Sequence, residues 1–298
     1  MAVVAQWLEH WIVVPGAVGS IPIGRPLFLL MLSTGNACVS LLEALILGIV
    51  QGITEFFPIS SSGHLKLTQI FLGYQNLQDY IAFDVVCHLG TLFAIVIVFW
   101  QDIIDILRTK HQDLYLIGLS LIPLFISYPF LDDIEKVFDM PGLLGIFFII
   151  TAIILFLGEK FSHNENDETF SFKRHSIDVL FIGTFQLLAL FPGVSRSGAT
   201  ISAARMCGWS SLRAARFSFL MAIPAIAGGT LIKLHKLVTI ANGNIAAINY
   251  LIGFSTSFVV GLTALTLLLK LLKRKKLVIF AWYCLLLGIT LTVYFNYG

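Results

Sequence analysis

The sequence predicts an all-α integral membrane protein with six transmembrane helices and two opposed re-entrant helix–loop–helix hairpins, arranged as an inverted-topology repeat. Three observations carry this prediction: an apolar composition, a series of long apolar runs, and a motif that occurs twice. Apolar residues make up 57% of the chain, charged residues only 12%, and the mean hydropathy is +0.89. Soluble proteins have roughly 25% charged residues. Too few charges remain to cover a water-facing surface, so lipid must surround most of the chain.

The apolar runs define the elements in order. They are 41–57, 81–100, 114–130, 142–158, 177–191, 216–234, 247–270 and 277–295. Two of the links, 58–80 and 192–215, are long, only moderately apolar and rich in Ser and Gly. Proline disfavours helix for the preceding residue, and non-helical backbone at membrane depth is tolerated only in protein or along a cavity. We therefore interpret 41–73 and 177–208 as re-entrant hairpins and the other six runs as full spans.

One motif occurs in both halves of the chain. A Gly-x-x-Gln pair precedes FPISSSG at 57–63, and a second such pair precedes FPGVSRSG at 191–198. Repeats with broken apolar segments at corresponding positions indicate a binding site between the halves. Three crossings separate the hairpins, so the hairpins enter from opposite faces. The repeats, about 39–158 and about 177–296, are then inverted within a single membrane domain, 39–298.

The basic residues agree with this topology. Of the 19 lysines and arginines, thirteen fall on one predicted side and three on the other, with three set aside as hairpin or N-terminal residues. The positive-inside rule makes the side with thirteen cytoplasmic and puts both ends of the domain outside the cytoplasm. The small net charge of +2 and the absence of basic runs with interleaved aromatics indicate no nucleic-acid partner.

The first 38 residues do not fit the membrane domain. Residues 4–26 lack a charged segment ahead of an apolar core, so a signal peptide is a poor interpretation. The stretch is similar to a translated tRNA gene. We expect 1–38 to be a non-native extension from a mis-assigned start, with Val39 as the true beginning; an amphipathic N-terminal segment is the alternative.

Glu55 lies inside an apolar run and is the first candidate site residue. A carboxylate at a helix centre in lipid costs roughly 2.5–3.5 kcal/mol on insertion scales. Gln51, four residues earlier, faces the same side of the helix. The pair is interpreted as the wall of a polar site; a polar pair that only packs two helices is the alternative.

Hydroxyls and an imidazole follow the helix break after Glu55. Ser60, Ser61 and Ser62 precede Gly63, and His64 comes next. A helix N-terminus with free amides binds anions, although serines there also act simply as N-caps. His64 adds a group that titrates near neutral pH. Beside a carboxylate, these residue types favour a functional site.

The counterpart in the second half contains Ser195, Arg196, Ser197 and Thr200. Arginine suits bidentate recognition of phosphate. At membrane depth its charge requires an anion, which is either a phosphate or Glu55 in a structural salt bridge. Together the two segments supply a nucleophile, an acid/base, a carboxylate and a charge clamp, the groups that phosphoryl transfer needs.

On these residues the chain resembles the bacterial undecaprenyl-pyrophosphate phosphatase family, also called bacitracin-resistance proteins. The resemblance runs from about Val39 to the end of the chain. The matching stretches are LLEALILGIVQGITEFFPISSSGHL (41–65), FDVVCHLGTLFAIVIVFW (83–100), QLLALFPGVSRSGATISAARMCG (186–208) and FSFLMAIPA (217–225).

The resemblance implies an enzyme of the bacterial inner membrane. It would hydrolyse undecaprenyl pyrophosphate to the monophosphate and inorganic phosphate, recycling the lipid carrier of cell-wall synthesis and giving bacitracin resistance, with a site that opens to the periplasm. The expected catalytic residues are Glu55, Ser61, His64 and Arg196. The nucleophile stays open among Ser61, His64 and an activated water. The expected phosphate-binding residues are Ser60, Ser62, Ser195, Ser197 and Thr200.

Three further points stay open at the level of sequence. The resemblance implies Mg²⁺ or Ca²⁺ bound by Gln51 and Glu55. Gln51 stands where some members of the family carry a glutamate, so a site without a bound metal is the alternative. A polyprenyl-phosphate transporter or flippase is the alternative function, because inverted repeats are common in transporters. A homodimer is one assembly that the sequence leaves open.

Overall fold

The computed structural model describes residues 39–74, 80–130, 134, 140–161, 172–240, 246–273 and 277–297. Throughout these ranges the regular structure is helical, with no strand, which confirms the predicted all-α class. The predicted extension, 1–38, lies outside the described residues. The α-helices within the described residues are α1 Leu41–Thr54, α2 Ser61–Leu72, α3 Ile81–Val98, α4 Trp100–Arg108, α5 His111–Ile126, α6 Pro141–Lys160, α7 Phe172–Leu188, α8 Arg196–Met206, α9 Ser211–Ile240, α10 Ala247–Leu272 and α11 Val278–Tyr297.

Within the described ranges, five helices are long and apolar enough to cross a membrane. They are Ile81–Val98, Pro141–Lys160, Ser211–Leu231, Ala247–Leu272 and Val278–Asn296. They coincide with five of the six predicted spans. The remaining predicted span, 114–130, corresponds to α5, which has 16 residues and contains Pro123. A straight crossing of the hydrocarbon core takes about 20 residues.

The distribution of side chains is that of a protein in lipid. Large apolar residues face outward, with Phe125 72% and Leu286 63% exposed. Polar residues lie inside, where Gln51 and Thr91 are fully buried and Arg205 is 1% exposed. Water would penalise such an apolar exterior, whereas lipid accepts it and drives polar groups toward the protein interior.

The first helix pair is interrupted as the Phe-Pro motif predicts. Helix α1 begins with a capping box, in which Ser40 Oγ accepts from the Glu43 amide at 3.3 Å and Glu43 Oε2 accepts from the Ser40 amide at 2.7 Å. The sequence predicts that α1 ends at Phe57, directly before Pro58. The helix ends three residues earlier, at Thr54, because Pro58 restricts the turn that precedes it. Ser60 then has φ +72°, a conformation that residues with a side chain rarely adopt.

The second pair is interrupted in the same way. Helix α7 ends at Leu188, and the chain turns through Gly193 at φ +101° before α8 begins at Arg196. A left-handed residue here suits glycine, which has no Cβ. A Cβ on Gly193 would also lie 2.8 Å from the Phe147 side chain. Both breaks therefore bring a serine-containing helix start against a neighbouring helix.

Helix pairing follows the two repeats. Helix α1 packs on α10 and α7 packs on α5, while α3 contacts α9 and α6 contacts α11. The repeated glycines make the first two contacts close: a Cβ on Gly48 would lie 2.9 Å from Thr256, and one on Gly183 would lie 2.3 Å from the Ser120 carbonyl oxygen. Small residues allow such close approach of helices in membranes. The motif glycines are thus packing residues.

Candidate active site

The two helix breaks meet around one cavity of about 200 Å³. Its polar lining comes mainly from the two breaks, with His88 of α3 and Gln186 of α7, and its apolar lining comes from α5, α9 and the second break. The lining residues are Thr54, Glu55, Ser60, Ser61, Ser62, His88, Leu124, Gln186, Ala189, Leu190, Val194, Ser195, Arg196, Ser197, Ala225 and Ile226. A site of mixed polarity suits a ligand with an anionic head and an apolar tail.

Glu55 lies at the centre of the polar lining of the cavity. Its Oε2 accepts hydrogen bonds from Ser61 Oγ at 2.6 Å and from Gln51 Nε2 at 3.0 Å. Gln51 also donates to Thr91 Oγ1 at 3.4 Å, which fixes the amide between α1 and α3. The carboxylate side chain is only 5% exposed, so these donors replace the water that it has lost.

Arg196 binds the other oxygen of Glu55, Oε1, across the two halves of the chain. This contact is the salt bridge that the sequence left open as the structural alternative for Arg196. It does not close the cavity, because Arg196 and Glu55 both line it. The guanidinium has five donors, and its remaining donors stay able to bind an entering anion.

Four of the predicted phosphate-binding serines line the same cavity. Ser60 and Ser195 are the N-caps of α2 and α8, accepting from the Gly63 amide at 3.3 Å and the Gly198 amide at 3.1 Å. Ser62 lies 3.4 Å from the Ser60 hydroxyl, and Ser197 lies 3.2 Å from that of Ser195. Two helix N-termini therefore face one cavity, and their free amides and dipoles favour an anion there.

Thr200 does not line the cavity. Its hydroxyl donates to the Arg196 carbonyl oxygen at 2.8 Å and lies 2.7 Å from Ser218 Oγ on α9. It is one turn into α8 and fully buried. In this position Thr200 anchors the helix that carries Arg196 rather than facing the cavity.

His64 also lies away from the cavity lining. Its Nδ1 is 2.7 Å from the Ser60 carbonyl oxygen and its Nε2 is 2.7 Å from the Tyr283 hydroxyl. Because a carbonyl only accepts, Nδ1 carries the proton, and Nε2 of the neutral ring accepts from the tyrosine. The ring contacts the edge of Phe148 and stacks on Tyr283. His64 thus holds the carbonyl of the residue with the strained φ, directly before Ser61.

His88 is a site residue that the sequence reasoning missed. Its Nε2 lies 3.8 Å from Glu55 Oε2, and its Nδ1 lies 2.7 Å from the Asp84 carbonyl oxygen. Because that carbonyl only accepts, Nδ1 carries a proton, and Nε2 is the nitrogen next to Glu55. The side chain lines the cavity. A signal was present: Asp84, His88 and Thr91 lie at helical spacing on one face of an otherwise apolar span.

The arrangement does not fit a divalent cation held by Gln51 and Glu55. Both carboxylate oxygens of Glu55 accept from donors, and the donor on Oε1 is cationic. The Gln51 carbonyl oxygen is the one atom of the pair without a partner. Among the described residues, no three His, Cys, Asp or Glu side chains cluster as metal ligands. Hard cations need several oxygen ligands, which this pair does not offer.

The chain is similar to known proteins of one family. Residues 44–290 match the family described as Bacitracin resistance protein BacA. The chain is 45% identical over 258 residues to Undecaprenyl-diphosphatase of Protochlamydia amoebophila, covering 85% of this chain and 98% of that relative. Proteins of the same name from Carboxydothermus hydrogenoformans and Methanosphaera stadtmanae are 39% and 38% identical, each covering 84% of this chain and 96% of the relative. The chain therefore belongs to the bacitracin resistance protein family.

Proposed function

We propose that this protein hydrolyses undecaprenyl diphosphate to undecaprenyl phosphate and inorganic phosphate. One observation carries the proposal: a serine hydroxyl and an arginine guanidinium, Ser61 and Arg196, meet on the two oxygens of Glu55 at the wall of one cavity. This set matches what phosphoryl transfer requires. The relatives named undecaprenyl-diphosphatase supply the substrate and the reaction, and they do not favour the transporter alternative.

The geometry supports Ser61 as nucleophile and Glu55 as base. Ser61 Oγ already donates to Glu55 Oε2, so its proton has an acceptor in place. The hydroxyl oxygen would attack the terminal phosphorus, forming an Oγ–P bond as the bond to the bridging oxygen breaks. Prenyl phosphate leaves and takes that proton from Glu55, while Arg196 neutralises charge on the transferring group. Water then gives a proton to the regenerated Glu55 carboxylate and attacks phosphorus. The Oγ–P bond breaks, Ser61 Oγ takes the proton back from Glu55, and inorganic phosphate is released. Direct attack by water, with Glu55 or His88 as base, is the other route that this cavity allows.

The helix arrangement supports six spans and two opposed hairpins. Helix α1 packs on α10 and α7 packs on α5, while α3 contacts α9 and α6 contacts α11, which is the pairing that a pseudo-two-fold axis between the repeats predicts. At 55–60 and 189–195 the backbone leaves the helical conformation. This backbone is buried in protein or lines the cavity, as a hairpin inside a membrane requires. With α5 as the sixth span, the charge distribution supports the predicted orientation in a bacterial inner membrane. The opening of the cavity to the periplasm stays a prediction.

Release of inorganic phosphate from undecaprenyl diphosphate by the purified full-length protein in detergent tests the proposal. We expect one phosphate per lipid, with prenyl monophosphate as the other product. Parallel reactions with EDTA test the requirement for Mg²⁺ or Ca²⁺, which stays a prediction. A protein that releases no phosphate but moves the lipid between the leaflets of vesicles would instead be the transporter.

A further inference from the structure

We infer that the side-chain amide of Gln186 binds the prenyl-linked phosphate, the phosphate that stays on the lipid product. This inference rests on the proposed function and adds a binding residue to it. Gln186 lies on α7, is 2% exposed and lines the cavity. Neither its amide nitrogen nor its carbonyl oxygen has a hydrogen-bond partner.

An unpartnered buried amide is unusual, because nearly all such groups find a partner in folded proteins. Its counterpart in the first repeat shows what is missing. Gln51 donates to Glu55, four residues later on the same helix face. Four residues after Gln186 stands Leu190, which has no polar atom. The second repeat has the glutamine without the carboxylate, so the amide of this cavity-lining residue has its donor and its acceptor unused.

The surroundings indicate which part of the substrate the amide meets. Arg196, Ser61 and the helix N-terminal serines belong to the polar lining of the cavity, where the phosphorus under attack must lie. Leu124, Ala225 and Ile226 belong to its apolar lining, which suits the first isoprene units. Between a terminal phosphate at Arg196 and an apolar tail comes the prenyl-linked phosphate. An uncharged amide suits this position, because it donates a hydrogen bond without holding the charged product tightly.

The test compares wild-type protein with Gln186→Leu and the nearly isosteric Gln186→Met. A hydrogen bond to a charged group is worth about a 10- to 100-fold change in binding. We expect KM for undecaprenyl diphosphate to rise by that factor with little change in kcat, the pattern of lost uniform binding. Thermal stability should stay the same or rise, because each variant removes an unpartnered buried polar group.

Inhibition identifies the phosphate that is bound. In both variants the inhibition constant of a short-chain prenyl monophosphate should rise by the same factor as KM, while that of inorganic phosphate stays unchanged. Gln69→Leu is the matched control, because Gln69 is equally buried but bonds Asp84 at 2.9 Å away from the cavity lining. It should lower stability and leave both constants unchanged.

Two results would overturn the inference. One is an unchanged KM and prenyl-phosphate inhibition in both Gln186 variants. The other is a rise in the inhibition constant of inorganic phosphate equal to that of the prenyl phosphate, which would put Gln186 at the terminal phosphate. If the wild-type protein hydrolyses nothing, the proposed function fails. Equilibrium binding of the prenyl monophosphate to wild type and Gln186→Met still tests the inference in that case.

Discussion

Replacing Arg196 with methionine should lower both stability and catalysis, by amounts that the geometry sets. Glu55 is 5% exposed at its side chain and Arg196 19%. Removing one partner of a buried pair costs about 3–5 kcal/mol. Glu55 keeps its bonds from Ser61 and Gln51, and Arg196 is not fully buried, so we expect the lower end, about 3 kcal/mol. The rate should fall about 10²- to 10³-fold, the effect of losing one group that stabilises developing charge.

A matched control lies nine residues further along the same helix. Arg205, also on α8, is 1% exposed and pairs with Glu159 Oε2 at 2.6 Å, away from the cavity lining. Arg205→Met should cost a similar stability, because it too leaves a carboxylate without its cation. Its turnover per folded molecule should equal that of the wild type, which separates a catalytic loss from a folding loss.

A double variant separates the two effects further. Adding Glu55→Gln to Arg196→Met removes the uncompensated carboxylate, so stability should recover relative to Arg196→Met alone. Activity should not recover, because both groups act on the same step and their losses are not additive. The measurements are unfolding by denaturant in detergent micelles and initial rates of phosphate release, normalised to folded protein. A wild-type rate in Arg196→Met, or an equal loss per folded molecule in Arg205→Met, would refute the reasoning.

The remaining predictions concern single residues and the ends of the chain. Ser61→Ala should reduce phosphate release at least 10²-fold if the hydroxyl is the nucleophile. A trapped phosphoserine should then be absent from the mass spectrum of the variant. A Ser61→Ala variant with normal turnover would leave water as the nucleophile. His64→Asn, whose amide reaches the Ser60 carbonyl in place of Nδ1, should retain more activity than His64→Gln, with an unchanged pH profile; an acid/base role predicts instead that both lose the same pH limb. Deleting 1–38 should leave turnover and stability unchanged in purified protein. In a variant without native cysteines, Lys275→Cys should resist impermeant thiol reagents in intact cells, and labelling from outside would contradict the topology.

The sequence was sufficient for the parts of the fold that depend on composition and on local chain breaks. Apolar runs long enough to span lipid gave five helices, and proline after phenylalanine gave both interruptions. Glu55, Ser61 and Arg196 stood out because each is expensive in lipid or placed at a helix start. The helix α4, Trp100–Arg108, was not predicted, because its mixed polar sequence was interpreted as a link between spans.

Side-chain direction could not be predicted in the same way. His64 follows the serines directly, yet one helical step turns its ring toward Tyr283, 219 positions away in the chain. His88 lies 33 residues from Glu55, yet the packing of α1 beside α3 brings their side chains to 3.8 Å. Spacing along one helix predicts which residues share a face, whereas contacts between helices depend on packing that a single sequence does not reveal. The repeated glycines marked that packing, but their partners, Thr256 and Ser120, have no equivalent motif.

The ion pair between Glu55 and Arg196 also bears on how the protein is made. Its two residues are 141 positions apart, so at a synthesis rate of about 5–20 residues per second the arginine follows the carboxylate by roughly 7–28 s. During that interval the first hairpin carries an acidic group that costs roughly 2.5–3.5 kcal/mol in lipid. Until the second hairpin emerges, the first hairpin should therefore stay beside the translocation machinery, or its Glu55 carboxyl should stay protonated. A nascent chain truncated at Lys160 should be degraded faster than the whole protein, and Glu55→Gln should lengthen the lifetime of that fragment.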